Sequence, residues 1–172
     1  MAATFAYPLP WLMVFDKTEM RYAFPGGAGA RFTLRWMHSV EQEDWEEWFE
    51  VTDSGAIELT GTRFKTFGAG VPAASGKATT LDDGWVVMTG IQRIVDPLAV
   101  QAAAAERYRM RYRAGHINHT FALSRTDPPS ILTFSVRQAP LWRVLPALVR
   151  PWLLALPPGW ESASTPGQEH PR

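Results

Sequence analysis

His38 and Glu47 are the side chains best placed to do chemistry in this chain, and both fall on neighbouring segments that alternate as β-strands do. In residues 31–40, Phe32, Leu34, Trp36, His38 and Val40 share one face, opposite Arg31, Thr33, Arg35, Met37 and Ser39. In residues 45–51, Trp45, Glu47, Phe49 and Val51 share a face, with Glu46, Trp48 and Glu50 on the other. A four-residue hairpin loop at Glu41–Asp44 would set Val40 against Trp45, His38 against Glu47, Trp36 against Phe49 and Leu34 against Val51. Each apolar residue then meets an apolar partner, and the one polar position on each strand meets the other. A carboxylate beside an imidazole fixes its tautomer and favours its protonated form. Such a pair serves as a general base with its orienter, as two ligands of a metal, or as a buried hydrogen bond that holds strand register. His119, in Gly115-His116-Ile117-Asn118-His119, is a candidate third ligand, since two histidines and a carboxylate suit a divalent metal. No diagnostic spacing links the three.

Two further groups of residues carry chemical potential. Phe67-Gly68-Ala69-Gly70-Val71-Pro72 can present backbone amides, because Gly68 and Gly70 allow close approach and Pro72 stiffens the exit. It lacks the Lys-Ser/Thr ending of a phosphate loop and the third glycine of a dinucleotide fingerprint, so a structural turn competes with an anion site. On a strand, Arg107, Arg109, Arg111 and Arg113 point one way. Glu41–Glu58, with eight acidic residues and no basic one, is a natural internal or intermolecular partner for them. Lipid headgroups or an anionic ligand are the functional alternatives to a solvated strand face. No nucleophile elbow, zinc-protease, kinase or deaminase motif is present, and Ser39 faces away from His38 on a strand, so no catalytic residue is assigned.

These residues need a β scaffold. Short alternating segments punctuated by Gly and Pro predict strands at Trp11–Asp16, Met20–Phe24, Arg31–Val40, Trp45–Val51, Ala56–Phe64, Trp85–Met88, Tyr108–Arg113, Thr120–Ser124 and Ile131–Arg137. Leu98–Glu106 is alanine-rich and follows Asp96-Pro97, which reads as a short helix with its N-cap. The expected fold class is all-β, an antiparallel sandwich or partly open barrel over residues 5–138. An apolar amphipathic segment, 139–160, and a polar disordered tail, 161–172, follow.

At 172 residues with 46% apolar and 20% charged, the chain fits one domain with a sizeable core. Having no cysteine, it has no disulfide, cysteine-ligated metal or thiol nucleophile. Seventeen basic and 17 acidic groups cancel, which disfavours nucleic acid as a partner. That neutrality is a sum of opposites. Residues 1–100 hold 8 basic and 13 acidic groups, and residues 101–172 hold 9 and 4. The basic part also carries the apolar run 139–160, which contains five prolines and so makes a poor spanning helix. As a helix it gathers Leu141, Leu145, Leu148, Trp152 and Leu156 on one face. Trp142, Trp152 and Trp160, with Arg143 and Arg150, suit an anionic membrane interface. The competing reading is a helix that covers the domain's own core. Met1–Phe15 is apolar, but it lacks the basic start of a signal peptide and the length of an anchor.

Thr33–Val51 also resembles the opening motif of a bacterial family labelled domain of unknown function eighteen-fifty: an aromatic, one residue, His-Ser, a hydrophobe, then a Glu in the next strand. Trp36, His38, Ser39, Val40 and Glu47 fill those positions. Phe67–Pro72 resembles the family's Phe-Gly-x-Gly-x-Pro segment, Asn118-His119-Thr120 a later motif, and Pro140-Leu141-Trp142 its closing segment, so the likeness runs from about Phe15 to Trp142. The resemblance implies no established activity and no cofactor. It implies association with the membrane subunits of TAXI-type TRAP transporters, which import organic solutes such as carboxylates. Relatives usually begin with a hydrophobic anchor; this chain shows the C-terminal apolar stretch instead, which leaves three readings (that stretch replaces the anchor, the true start lies upstream, or this member is soluble), and Leu98–Glu106 reads as an insertion. The expectation is a non-catalytic, membrane-associated accessory of such a transporter. The alternatives are a small-ligand or metal-binding module using His38 and Glu47, with Ser39, Gly68, Gly70, Pro72 and His119 around them, or a hydrolase or isomerase with His38 as base and Glu47 as its orienter.

Overall fold

The computed structural model describes residues 6–65, 76–123 and 129–153. Eleven strands form two antiparallel sheets: β1 (Pro8–Asp16), β2 (Glu19–Pro25), β3 (Arg31–Met37), β4 (Asp44–Val51), β5 (Ile57–Phe64), β6 (Ala78–Asp82), β7 (Trp85–Ile94), β8 (Leu98–Ala102), β9 (Arg109–Ala114), β10 (Ile117–Ala122) and β11 (Ser130–Pro140). A helix, α1 (Leu141–Leu153), follows β11. The small sheet runs β2-β1-β11-β8 and the large one β10-β9-β3-β4-β5-β7-β6. This is the sandwich of the two expected architectures; the sheets do not close into a barrel.

Alternation decides which faces meet. Leu12, Val14, Tyr22, Phe24, Leu132 and Phe134 from the small sheet pack on Phe32, Leu34, Phe49, Met110, Tyr112 and Phe121 from the large one. Phe32 and Phe134 stack across the gap with ring centroids 5.7 Å apart, and Phe24 stacks on Tyr112 at 4.8 Å. The Tyr112 hydroxyl, buried with its ring, donates to the Pro25 carbonyl at 2.5 Å, so this polar group too is satisfied inside the core. Burial of this phenol holds its pKa well above the ordinary tyrosine value.

The other face of the small sheet carries α1. Val144 and Ala147 are buried, with Leu141 and Leu148, against Trp11, Met13, Ala23 and Ala139. Trp11 Nε1 donates to the Ala139 carbonyl at 2.9 Å. This stripe corrects the expected face: Leu141 and Leu148 lie inside, but Leu145 is outside with Trp142 and Val149. Pro146 also lies on the exposed side, so the carbonyl that loses its helical N–H donor there can turn to water.

Two other expectations are corrected. Leu98–Glu106 is not a helix: Leu98–Ala102 is strand β8, which pairs with β11 (Leu98 opposite Phe134, Val100 opposite Leu132). Leu98, Val100 and Ala102 turn toward the core while Ala99 and Gln101 stay exposed, so the period is two in spite of the alanines. The β3–β4 register also differs. The loop is Ser39–Gln42, two residues earlier than expected, closed by bonds from His38 N to Glu43 O (2.8 Å) and Gln42 N to His38 O (2.9 Å). Trp36 therefore faces Trp45, Leu34 faces Glu47, and Phe32 faces Phe49. This offset puts Arg35 against Glu46 and Arg31 against Glu50, and it leaves Val40 exposed at the loop tip.

Candidate functional site

The core-facing side of the β3–β4 hairpin ends in a file of rings. His38 stacks on Trp45 (5.5 Å), Trp45 on Trp36 (5.9 Å), and Trp36 on Tyr108 (5.2 Å). Phe64 flanks Trp45 from β5 at 4.9 Å. Trp45 Nε1 donates to Thr62 Oγ1 (2.9 Å), and Thr62 Oγ1 donates in turn to the Glu46 carbonyl (2.8 Å), so the indole is held in one orientation. His38 stands at the outer end of the file, half-buried, with its Nδ1 accepting the Glu41 N–H at 3.4 Å.

Glu47 lies on the same face, between Leu34 on β3 and Thr62 on β5. It is the one charged residue in the core-facing row of β4. Burial holds that carboxyl above its ordinary value, and the Arg93 guanidinium pulls it part of the way back. Tyr108 is pushed upward too, first by burial and then by the charges of Glu106 and Glu47. His38 and Glu47 are not the cross-strand pair expected. His38 is four residues beyond Leu34, the residue opposite Glu47, or about 13 Å along the strand. Trp36 and Trp45 occupy the positions between them. The base-and-orienter dyad is therefore not assembled.

The expected metal set does not come together either. His119 sits on β10 opposite Tyr112, three strands from β4, a lateral separation of about 14 Å. Among the described residues no group of three or more His, Asp or Glu converges on one point. Ser39 is exposed in the hairpin loop. Gly68, Gly70 and Pro72 lie outside the described residues. On α1, Trp142 and Arg143 are exposed, while Arg150 reaches Glu19 at 3.3 Å; Trp152 falls within the helix and Trp160 outside the described residues.

The opposite face of the large sheet holds what sequence reasoning missed. Glu46 is 6% exposed and takes Arg63 Nε at 2.8 Å and Arg35 Nη1 at 3.3 Å. Arg35 also pairs with Asp44, and the Arg63 guanidinium lies 4.5 Å over the Trp85 ring. The acidic segment does oppose basic residues, as expected: it pairs with Arg31, Arg35, Arg63 and Lys65, and Asp44 also attracts Arg109 of the arginine row. Arg109 stands one strand further out, where burial first and the Arg35 charge next lower its pKa. The sign alternation Arg31, Arg35 against Glu46, Glu50 was the available signal.

The Glu47 carboxyl yields a pH prediction. Because the fold favours its neutral form, the stability it contributes is present below the ordinary glutamate pKa and is lost as pH rises through the raised one. Glu47→Gln removes that loss. Relative to the parent, the variant should gain more at about pH 7 than at about pH 4, since ionising this carboxyl costs the parent stability as pH rises past the ordinary glutamate value. Urea titrations at both pH values check this, and a difference independent of pH would contradict it.

A family model described as Domain of unknown function (DUF1850) matches residues 32–118, from β3 to the first residues of β10. The matched span contains His38 and Glu47 but stops one residue short of His119 and well before α1. No curated protein and no solved structure matches the chain.

Proposed function

The chain belongs to the domain-of-unknown-function family DUF1850, and on that premise we propose that it is a non-catalytic accessory protein of a TAXI-type TRAP transporter, docking at the membrane through α1. The observation that carries this reading is the outward stripe of the helix. Trp142 is 62% exposed, with Leu145 and Val149 beside it at helical spacing, while the opposite stripe is already spent on the small sheet. Arg143 stands next to Trp142 and is exposed. An indole and aliphatic side chains flanked by a cation suit the boundary between acyl chains and anionic headgroups. They equally suit the membrane-proximal rim of a permease subunit. Among the described residues no helix is long and apolar enough to cross a membrane, so the proposed mode is surface docking. The resemblance supplies the transporter, and the helix supplies the contact.

Co-expression with a TAXI-type TRAP membrane subunit tests this. The chain should copurify from detergent extract well above an unrelated membrane protein, and Trp142→Glu with Leu145→Glu should abolish the enrichment without altering the circular dichroism spectrum. Absence of enrichment for the parent would defeat the proposal. Flotation with anionic vesicles separates the two contacts: loss of flotation in the double variant assigns the stripe to lipid, and retention assigns it to the subunit.

A second reading has its own observation. A half-buried Glu47 carboxyl beside a file of aromatic rings is the chemistry of a small-ligand site, without the metal set that His119 would have completed. Calorimetry with small organic cations and carboxylates, on the parent and on Glu47→Gln, tests it. Equal heats for both proteins would remove Glu47 from any such site.

A further inference from the structure

Strand β6 ends the seven-stranded sheet and pairs on one side only, with β7. All five of its residues are exposed, and none of the three core clusters draws on it. The hairpin that carries it is tight: Asp83 and Gly84 form a two-residue turn with φ of 44° and 77°, both left-handed, as hairpins of this length require. A strand with water on both faces and one open edge buries little for the order it keeps.

Both edges of the small sheet carry devices that discourage pairing. β2 ends in Pro25 and bears Glu19 and Arg21, and β8 is entered through Pro97. Between Lys77 and Asp82, β6 has neither a charge nor a proline. It offers Ala78, Thr79, Thr80 and Leu81, extended and β-prone, with Leu81 78% exposed on the side of the buried Val86.

We propose that β6 pairs antiparallel with β6 of a second copy of this chain, about a two-fold axis through Thr80, joining the two large sheets into one. The charges select this partner and this register. With the axis at Thr80, Lys77 falls opposite Asp83 of the second copy, and Asp83 opposite its Lys77, giving two charge pairs from one segment. Moving the axis to Thr79 or Leu81 sets Lys77 against Leu81, or Asp83 against Thr79, and both pairs are lost. Parallel pairing sets Lys77 against Lys77. In the chosen register Thr79 faces Leu81 across the axis, and the two Leu81 side chains become diagonal neighbours, about 7–8 Å apart and within mutual reach. They extend the row begun by Phe64, Val86 and Met88 across the junction.

Sedimentation equilibrium of the full chain across a concentration series tests the proposal. The parent should show the mass of a dimer. Leu81→Lys brings two ammonium groups together near the axis and should leave a monomer, with the fold unchanged by circular dichroism because residue 81 is already exposed. Lys77→Asp faces Asp83 with like charge and should raise the dimer dissociation constant at least about tenfold. Adding Asp83→Asn, which the left-handed backbone accepts, should recover part of that loss. A parent monomeric at every concentration, or a dimer untouched by Leu81→Lys, would overturn the pairing.

Discussion

Glu46→Ala should destabilise the protein by about 3–5 kcal/mol, the range for removing one member of a buried ion group. The carboxylate is the hub of three strands. It receives Arg63 from β5 and Arg35 from β3, and all three side chains are almost completely buried. Without it, two guanidiniums remain out of water and lose their shared carboxylate; Arg35 keeps its pair with Asp44 and Arg63 keeps the Trp85 ring. Neither remaining contact replaces a charge-assisted hydrogen bond at 2.8 Å. Glu46→Gln keeps one acceptor and the side-chain volume, so its loss should be smaller. Glu50→Ala breaks the more exposed pair with Arg31 and should cost less than about 1 kcal/mol. Urea midpoints for the three variants give the ranking; equal losses at Glu46 and Glu50 would show that burial does not govern these pairs.

Gly26→Ala should cost about 3 kcal/mol, at the upper end for overpacking, and lower the melting temperature by about 10 °C for a chain of this size. A Cβ at this position would lie 2.4 Å from the Leu12 nitrogen and 2.6 Å from the Trp11 carbonyl carbon. Both obstacles are backbone, so no rotamer change relieves them. The Gly26 amide also donates to the Pro10 carbonyl at 2.9 Å, tying the chain after β2 to β1. Displacing it disturbs the strand pair that carries Trp11 and Met13, the floor on which Val144 and Ala147 of α1 rest. Gly27→Ala is the control, since nothing stands within 4 Å of a Cβ there, and it should be close to neutral. Comparable losses at both positions would refute the close-approach argument.

Much of the scaffold was legible because alternation reports the local pleat. The nine expected strands are all present, with ends shifted by a few residues. β6 is not legible because its residues do not alternate in polarity, and an edge strand in water has no face that needs them to. For β8 the alanines weigh toward a helix, yet pairing with β11 and burial of Leu98, Val100 and Ala102 outweigh a propensity of a few tenths of a kcal/mol per residue. In α1 the apolar residues are too many to mark one face. Leu145 and Val144 are equal candidates by hydropathy, and contact with Met13 and Ala23 decides for Val144.

The candidate site shows the same division. That His38 and Glu47 share the core-facing side of a hairpin follows from period two alone, and it holds in the structure. How far apart they stand does not follow. Moving the hairpin loop by two residues keeps every side chain on its face and changes every partner. Matching polar to polar on the inner face chose one offset. The fold takes another, in which Phe32 and Phe49 stack, the two tryptophans stack, and on the far side Arg31 and Arg35 meet Glu50 and Glu46.

From its sequence by itself, this protein is determined to be an all-β domain of the DUF1850 type, with an acidic first part, a basic end and faces assigned strand by strand. The tertiary structure alone decided which residues meet: a buried Glu46 hub in place of a His38–Glu47 dyad, His119 three strands away, and a helix with Trp142 turned outward. The reason is physical. Which way a side chain points is set by the backbone of its own strand, whereas the offset between strands is set by the sum of contacts on both faces at once, made with residues far along the chain.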